Sequence, residues 1–272
     1  MKAFRIISLI TILLLSANKS ESQTLGILAA MDQEINLVTE MIEKPVYTEF
    51  GGRVFVSGKI NGTDCVAAFS KWGKVAASIT ATLLIEHFNV DDLVFIGTAG
   101  AISTELNIGD IVVARSLVQH DMDARPLMQR FEIPLTGITY VECDKRLSDL
   151  AVKSIRPLIQ KDFKDIVGEK TWQEFNYLKP TLKEGTIASG DQFINSDEKR
   201  KELINLLPDV LCVEMEGAAV AQVCYEFKVP FTVIRIISDN ANHDARIDFN
   251  HFIDKVANIY SMEIIKSFIS NY

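Results

Sequence analysis

Apolar positions along the chain switch repeatedly between short continuous runs and helical spacing, the marks of buried strands and of helices. Thr24 to Ala30 reads as a buried strand, and Met31-Asp32-Gln33-Glu34 opens a helix carrying Ile35, Leu37, Val38 and Met41. Arg53 to Lys59 and Asp64 to Ser70 alternate around Asn61-Gly62, a strong hairpin signal. Lys74 to His87 places Val75, Ile79, Leu83 and Leu84 at helical spacing. Leu93 to Ile96 is another buried strand, and Gly97-Thr98-Ala99-Gly100-Ala101 after it reads as a glycine-rich turn. Gly109-Asp110 turns into a strand over Ile111 to Ala114. His120 to Thr139, with Pro126, Pro134 and Gly137, reads as a long loop of the kind that forms lids or interfaces.

The second half repeats the alternation. A helix is expected over Asp144 to Ile159, strands over Gly185 to Ser189 and Val210 to Val213, and helices over Asp197 to Leu207 and Ala218 to Phe227. Pro230 to Ile237 is the most strand-like run of all, and Phe249 to Phe268 an amphipathic helix. Lys161 to Pro180 is polar and aromatic and is assigned only to the surface. Strands alternating with helices favour a parallel or mixed sheet covered by helices. With 272 residues and no internal linker, residues 23–272 read as one α/β domain.

The first 22 residues stand apart. Lys2 and Arg5 precede an apolar run from Ile6 to Leu15, followed by Ser16, Ala17 and a polar stretch. That is the arrangement of a secretory signal peptide, and the run is short for a permanent span. The expectation is an exported protein, periplasmic or secreted, with no membrane span in the mature form. The whole chain carries a net charge of -8, and an acidic surface argues against nucleic acid or an anionic membrane as partner. Cys65, Cys143, Cys212 and Cys224 lack C-x-x-C spacing, so zinc and thioredoxin-like sites are not indicated. His120 with Asp121 and Asp123 lacks a third spaced ligand, and no metal is expected.

Glu34, Glu216 and Asp239 all fall just past the ends of expected strands, where an open α/β sheet forms its ligand crevice. Glu214 lies two residues from Glu216 and on the same side of an extended segment. Arg235, a single charge inside an apolar run, requires a carboxylate partner. Read alone, each acid also fits a solvated strand end or an acidic first helical turn. The chain has no G-x-S-x-G elbow and no cysteine beside a plausible base. Carboxylates acting together suit cleavage at an anomeric carbon, where the transition state resembles an oxocarbenium ion and the leaving group takes a proton.

Ala29-Ala30-Met31-Asp32-Gln33-Glu34, Gly97-Thr98-Ala99-Gly100, Ser189-Gly190-Asp191-Gln192-Phe193-Ile194, Val213-Glu214-Met215-Glu216 and Arg235-Ile236-Ile237-Ser238-Asp239 occur in that order. Together they resemble the 5′-methylthioadenosine/S-adenosylhomocysteine nucleosidases of the nucleoside phosphorylase superfamily. The resemblance implies a three-layer α/β/α sandwich around a mixed, partly barrel-like sheet, a purine nucleoside substrate, no cofactor and a homodimer. It implies that Asp239 protonates purine N7, that Glu34 positions or activates water, and that Glu216 holds the ribose hydroxyls beside Met215 and Glu214. Arg235 would orient the carboxylates, Ser238 would support Asp239, and Thr98, Ala99 and Gly100 would frame the water and base region. Phe193 would stack on the base, Ile194 would bond its edge, and Met31 and Phe249 would complete the pocket. Phosphorolytic relatives hold phosphate with arginines in the N-terminal loop. Here that loop carries Glu34, which repels a dianion, so hydrolysis is favoured over phosphorolysis. A non-catalytic nucleoside-binding protein on the same fold is the remaining alternative. Arg125 departs from the nucleosidase pattern after His120-Asp121 and is a candidate contact to a site, its own or a neighbouring subunit's.

Overall fold

The structure is a computed structural model that describes residues 23–161, 163–175, 179–242 and 244–272. The signal peptide expected over residues 1–22 lies outside these residues.

In chain order, β1 (Thr24–Ala29) leads into α1 (Asp32–Glu40). β2 (Glu43–Phe50), β3 (Arg53–Ile60) and β4 (Thr63–Phe69) follow as an antiparallel meander, turned at Asn61-Gly62 as expected. α2 (Lys74–Glu86), β5 (Asp92–Ala101), β6 (Ile111–Gln119) and β7 (Tyr140–Glu142) precede α3 (Lys145–Ile159) and the short α4 (Phe163–Val167) and α5 (Glu169–Glu174). Then come β8 (Leu182–Ser189), α6 (Asp197–Leu206), β9 (Val210–Glu214), α7 (Gly217–Phe227), β10 (Phe231–Asp239) and α8 (Ala245–Phe252). A π-helical stretch, Ile253–Ala257, joins α8 to α9 (Asn258–Ile269).

The sheet is mixed and closes on itself. β5 pairs parallel with β10, β10 antiparallel with β6, β6 parallel with β8, β8 parallel with β9, and β9 antiparallel with β5 at Gly100 and Ala101. Those five strands form a barrel, and from β5 the sheet continues through β1, β4 and β3 to the edge strand β2. α1, α3 and α9 pack together, while α2 packs with α7. The layered, partly barrel-like architecture expected from sequence is therefore present. Every position of β5 and β10 is buried, which is why neither strand alternates in polarity.

Three differences have local causes. Gly97 to Ala101 is not a turn; it continues β5. A Cβ at Gly97 would lie 3.2 Å from both Arg235 Nη1 and Glu34 Oε1, and one at Gly100 would lie 2.7 Å from Asp239 Oδ1. The glycines thus make room beside the strand for charged side chains. β2 escaped notice because almost all its positions face solvent and so carry no alternation. The C-terminal helix starts at Ala245, earlier than expected, and widens into the π turn before α9.

Candidate active site

The ends of β1, β5, β8, β9 and β10 surround a cavity of about 390 Å³, inside the range of small-ligand pockets. Every catalytic and substrate-binding residue implied by the resemblance lines it: Met31 and Glu34; Thr98, Ala99 and Gly100; Phe193 and Ile194; Glu214, Met215 and Glu216; and Arg235, Ser238, Asp239 and Phe249. Trp72, Gln192 and Asn250 line it too and were not anticipated. Trp72 and Gly73 precede α2 at a strand-to-helix junction, the same kind of place as Glu34, and that position was the available signal. Arg125 is not among the lining residues; its guanidinium pairs with Asp123 inside its own loop.

Glu34 sits in the first turn of α1 and is buried. Its Oε2 accepts the N–H groups of Ala30 (3.0 Å) and Met31 (3.1 Å), the reach-back of a capping box. Its Oε1 accepts both the Thr98 N–H and the Thr98 hydroxyl at 2.9 Å. Burial raises the Glu34 pKa, opposed by the Arg235 charge and the Thr98 donors. A carboxylate held this way ionises reluctantly and is suited to exchange a proton with water.

Arg235 is 1% exposed. Its Nη2 meets Glu214 Oε2 at 2.8 Å, Nη1 reaches the carbonyls of Phe95 (3.3 Å) and Ile234 (3.2 Å), and the guanidinium lies 4.1 Å from the Phe95 ring centroid. The carboxylate partner demanded by sequence is thus Glu214. Glu214 also accepts the Ser189 hydroxyl and the N–H groups of Glu216 (3.0 Å) and Gly217 (2.8 Å). Glu214 is the floor of the site, fixing the turn that presents Glu216.

Glu216 is also buried, and its Oε1 accepts the Gly73 N–H at 2.7 Å. Burial first, then the Glu214 charge, push its pKa up to about 8, against the Gly73 N–H and Arg235. A hydroxyl-bearing ligand that supplies donors would restore its charge. Asp239 ends β10 just after a register shift against β5, which re-aims the chain at the cavity. Its Oδ2 accepts the Ser238 hydroxyl (2.9 Å) and its Oδ1 the Ala241 N–H (2.8 Å). Across the cavity Phe193 and Phe249 stand edge to face, with ring centroids 5.8 Å apart.

A barrel of this closure, with four buried acids lining one pocket under an aromatic pair, is the layout of the nucleoside-cleaving α/β class. The chain belongs to the Phosphorylase superfamily, which it matches over residues 24–270. It is 36% identical over 245 residues to a 5′-methylthioadenosine/S-adenosylhomocysteine nucleosidase of Shewanella pealeana, covering 89% of this chain and 96% of that one. It is 37% identical over 256 residues to an aminodeoxyfutalosine nucleosidase of Helicobacter pylori, covering 91% and 98%. Its fold is similar to the crystal structure of the Colwellia psychrerythraea methylthioadenosine/S-adenosylhomocysteine nucleosidase in complex with adenine, with a TM-score of 0.81, 30% identity and coverage of 92% and 96%.

Proposed function

We propose that the protein hydrolyses the N-glycosidic bond of adenine nucleosides, 5′-methylthioadenosine and S-adenosylhomocysteine first among them, releasing adenine. The observation that carries this is the convergence of Glu34, Glu216 and Asp239 on one cavity. Asp239 gives a proton to purine N7 as the C1′–N9 bond breaks, and the sugar passes through an oxocarbenium-like state. Water held by Glu34 adds at C1′ and loses its proton to that carboxylate. Glu216 takes the ribose hydroxyls, with Met215 and Glu214 around it; Phe193, Ile194 and Phe249 hold the base; Ser238 steadies Asp239; Met31, Thr98, Ala99 and Gly100 shape the water and base region.

Among the described lining residues Arg235 is the only cation, and Glu214 already holds it. A phosphate dianion would meet Glu34 with no counter-charge, which favours water as nucleophile. The test is base release from methylthioadenosine, S-adenosylhomocysteine, adenosine and inosine, with and without phosphate. Release without phosphate is expected. Strict phosphate dependence overturns hydrolysis, and tight binding without turnover of any nucleoside makes the protein a binder.

The working form is a homodimer: Trp72, Val75 and Ile79 by α2, and Leu127 and Leu135 in the 120–139 loop, are apolar and exposed. A solution mass of one chain would refute it. Residues 1–22 are a signal peptide that sends the mature domain out of the cytoplasm. Recovery of uncleaved chain in the cytoplasmic fraction would refute that.

A further inference from the structure

The first turn of α2 is held by carboxylates from elsewhere in the chain. Gly73 N–H goes to Glu216, and Lys74 N–H goes to Asp191 Oδ1 at 2.8 Å. Asp191 belongs to the segment after β8 that carries Phe193 and Ile194 into the cavity. Its own N–H donates to Asp121 Oδ2 at 2.8 Å, and Asp121 Oδ1 pairs with Lys74 Nζ at 2.6 Å. Gly190 N–H donates to the Glu214 carbonyl at 3.1 Å, tying the same segment to β9. Gly73 has φ +90°, and a Cβ there would come within 2.9 Å of Asp191 Oδ1. The wall expected to face the base and the carboxylate expected to face the ribose therefore meet at two adjacent N–H groups.

We propose that Asp191 is a positioning residue: by accepting the Lys74 N–H it seats the start of α2, and so fixes the Gly73 N–H that Glu216 accepts relative to the Phe193–Ile194 wall. The inference rests on the reading of Glu216 as the ribose-holding group. Asp191 touches neither reacting atoms nor, on this reading, the sugar. It acts through a donor that stabilises the ionised form of Glu216. The other groups acting on Glu216 are the charges of Glu214 on β9, Arg235 on β10 and Glu34 on α1. Asp191 itself bonds Lys74 and Asp121, not these three side chains.

The experiment compares the parent, Asp191→Ala and Asp191→Asn in methylthioadenosine hydrolysis across pH. In Asp191→Ala the Gly73 donor loses its seat. KM is expected to rise about tenfold, the scale of a lost hydrogen bond to a charged group, with kcat within about threefold. The acid limb of kcat/KM moves to higher pH, because Glu216 becomes harder to ionise. Asp191→Asn keeps an oxygen for the Lys74 N–H and restores the parent KM and profile. The inference is overturned by an Asp191→Ala enzyme with the parent's KM and pH profile, by a fall in kcat alone with the profile unmoved, or by Asp191→Asn behaving as Asp191→Ala. Should Asp191→Ala not fold, Asp191→Leu keeps the bulk and removes the acceptor, and must raise KM and shift the limb alike; parent-like behaviour there is equally fatal. A parent that releases no base from any nucleoside overturns the hydrolase reading and this inference with it. A parent that turns over beside an indistinguishable Asp191→Ala overturns this inference alone.

Discussion

Replacing Arg235 by methionine tests what holds the floor of the site together. The change removes the ion pair to Glu214, the two carbonyl contacts and the ring contact to Phe95, and leaves a hydrophobe of similar reach. Both partners are almost wholly buried, with side-chain exposures of 1% and 3%, so solvent screening is slight. Removing one partner of a buried pair costs about 3–5 kcal/mol, because the other charge is left uncompensated. Glu214 keeps the Ser189 hydroxyl and the N–H groups of Glu216 and Gly217, which places this loss near the low end, about 3 kcal/mol. At about 2–4 °C per kcal/mol for a domain of this size, Tm should fall by roughly 6–12 °C. Urea unfolding of Arg235→Met, Glu214→Gln and the double variant gives the coupling directly. It should exceed about 1 kcal/mol, the range for residues in one buried network. Arg235 also opposes the rise in the Glu34 pKa, so the variant's acid limb should move to higher pH. An Arg235→Met chain within about 0.5 kcal/mol of the parent, with no coupling to Glu214→Gln, refutes this account of the floor.

Glu216 is harder to ionise folded than unfolded, so it contributes stability at low pH that drains away as pH climbs from near 4.5 through about 8. Glu216→Gln should therefore lose less stability over that window and exceed the parent at pH 8 by about 1 kcal/mol, measured by urea titration of the ligand-free chain. In Gly100→Ala the new Cβ meets Asp239 Oδ1 at 2.7 Å and Ala241 Cβ at 3.1 Å, both buried. Displacing the acid should lower kcat about 100-fold with nucleoside binding within a few-fold, as steady-state and inhibitor titrations would read.

Much of this architecture was written locally. β1, β5, β9 and β10 are continuous apolar runs because helices or neighbouring strands cover them, and burial leaves that imprint whatever the fold around it. The acids were legible because a carboxylate after such a run is costly to bury without a purpose. β2 was not legible, since a solvated edge strand imposes no pattern. The path of Gly97 to Ala101 differs from the expected turn because glycine serves both turns and strands crowded by neighbouring side chains; only Arg235, Glu34 and Asp239 in place reveal the reason. The pairings of Gly73 with Glu216 and of Lys74 with Asp191 join residues 143 and 117 positions apart. Nothing in either segment names the other.

The central assignment is that Asp239 supplies the proton that lets the base depart. Asp239→Asn keeps one oxygen for the Ala241 N–H and places an amide NH2 where the Ser238 hydroxyl, turned about, can accept from it, so the pocket should survive. Single-turnover hydrolysis of methylthioadenosine, read beside the affinity for adenine, separates chemistry from binding. Loss of general-acid catalysis is worth about 10²–10⁴-fold, so the rate should fall by about a thousandfold while adenine binds within a few-fold of the parent. A rate within tenfold of the parent at unchanged affinity would contradict the assignment.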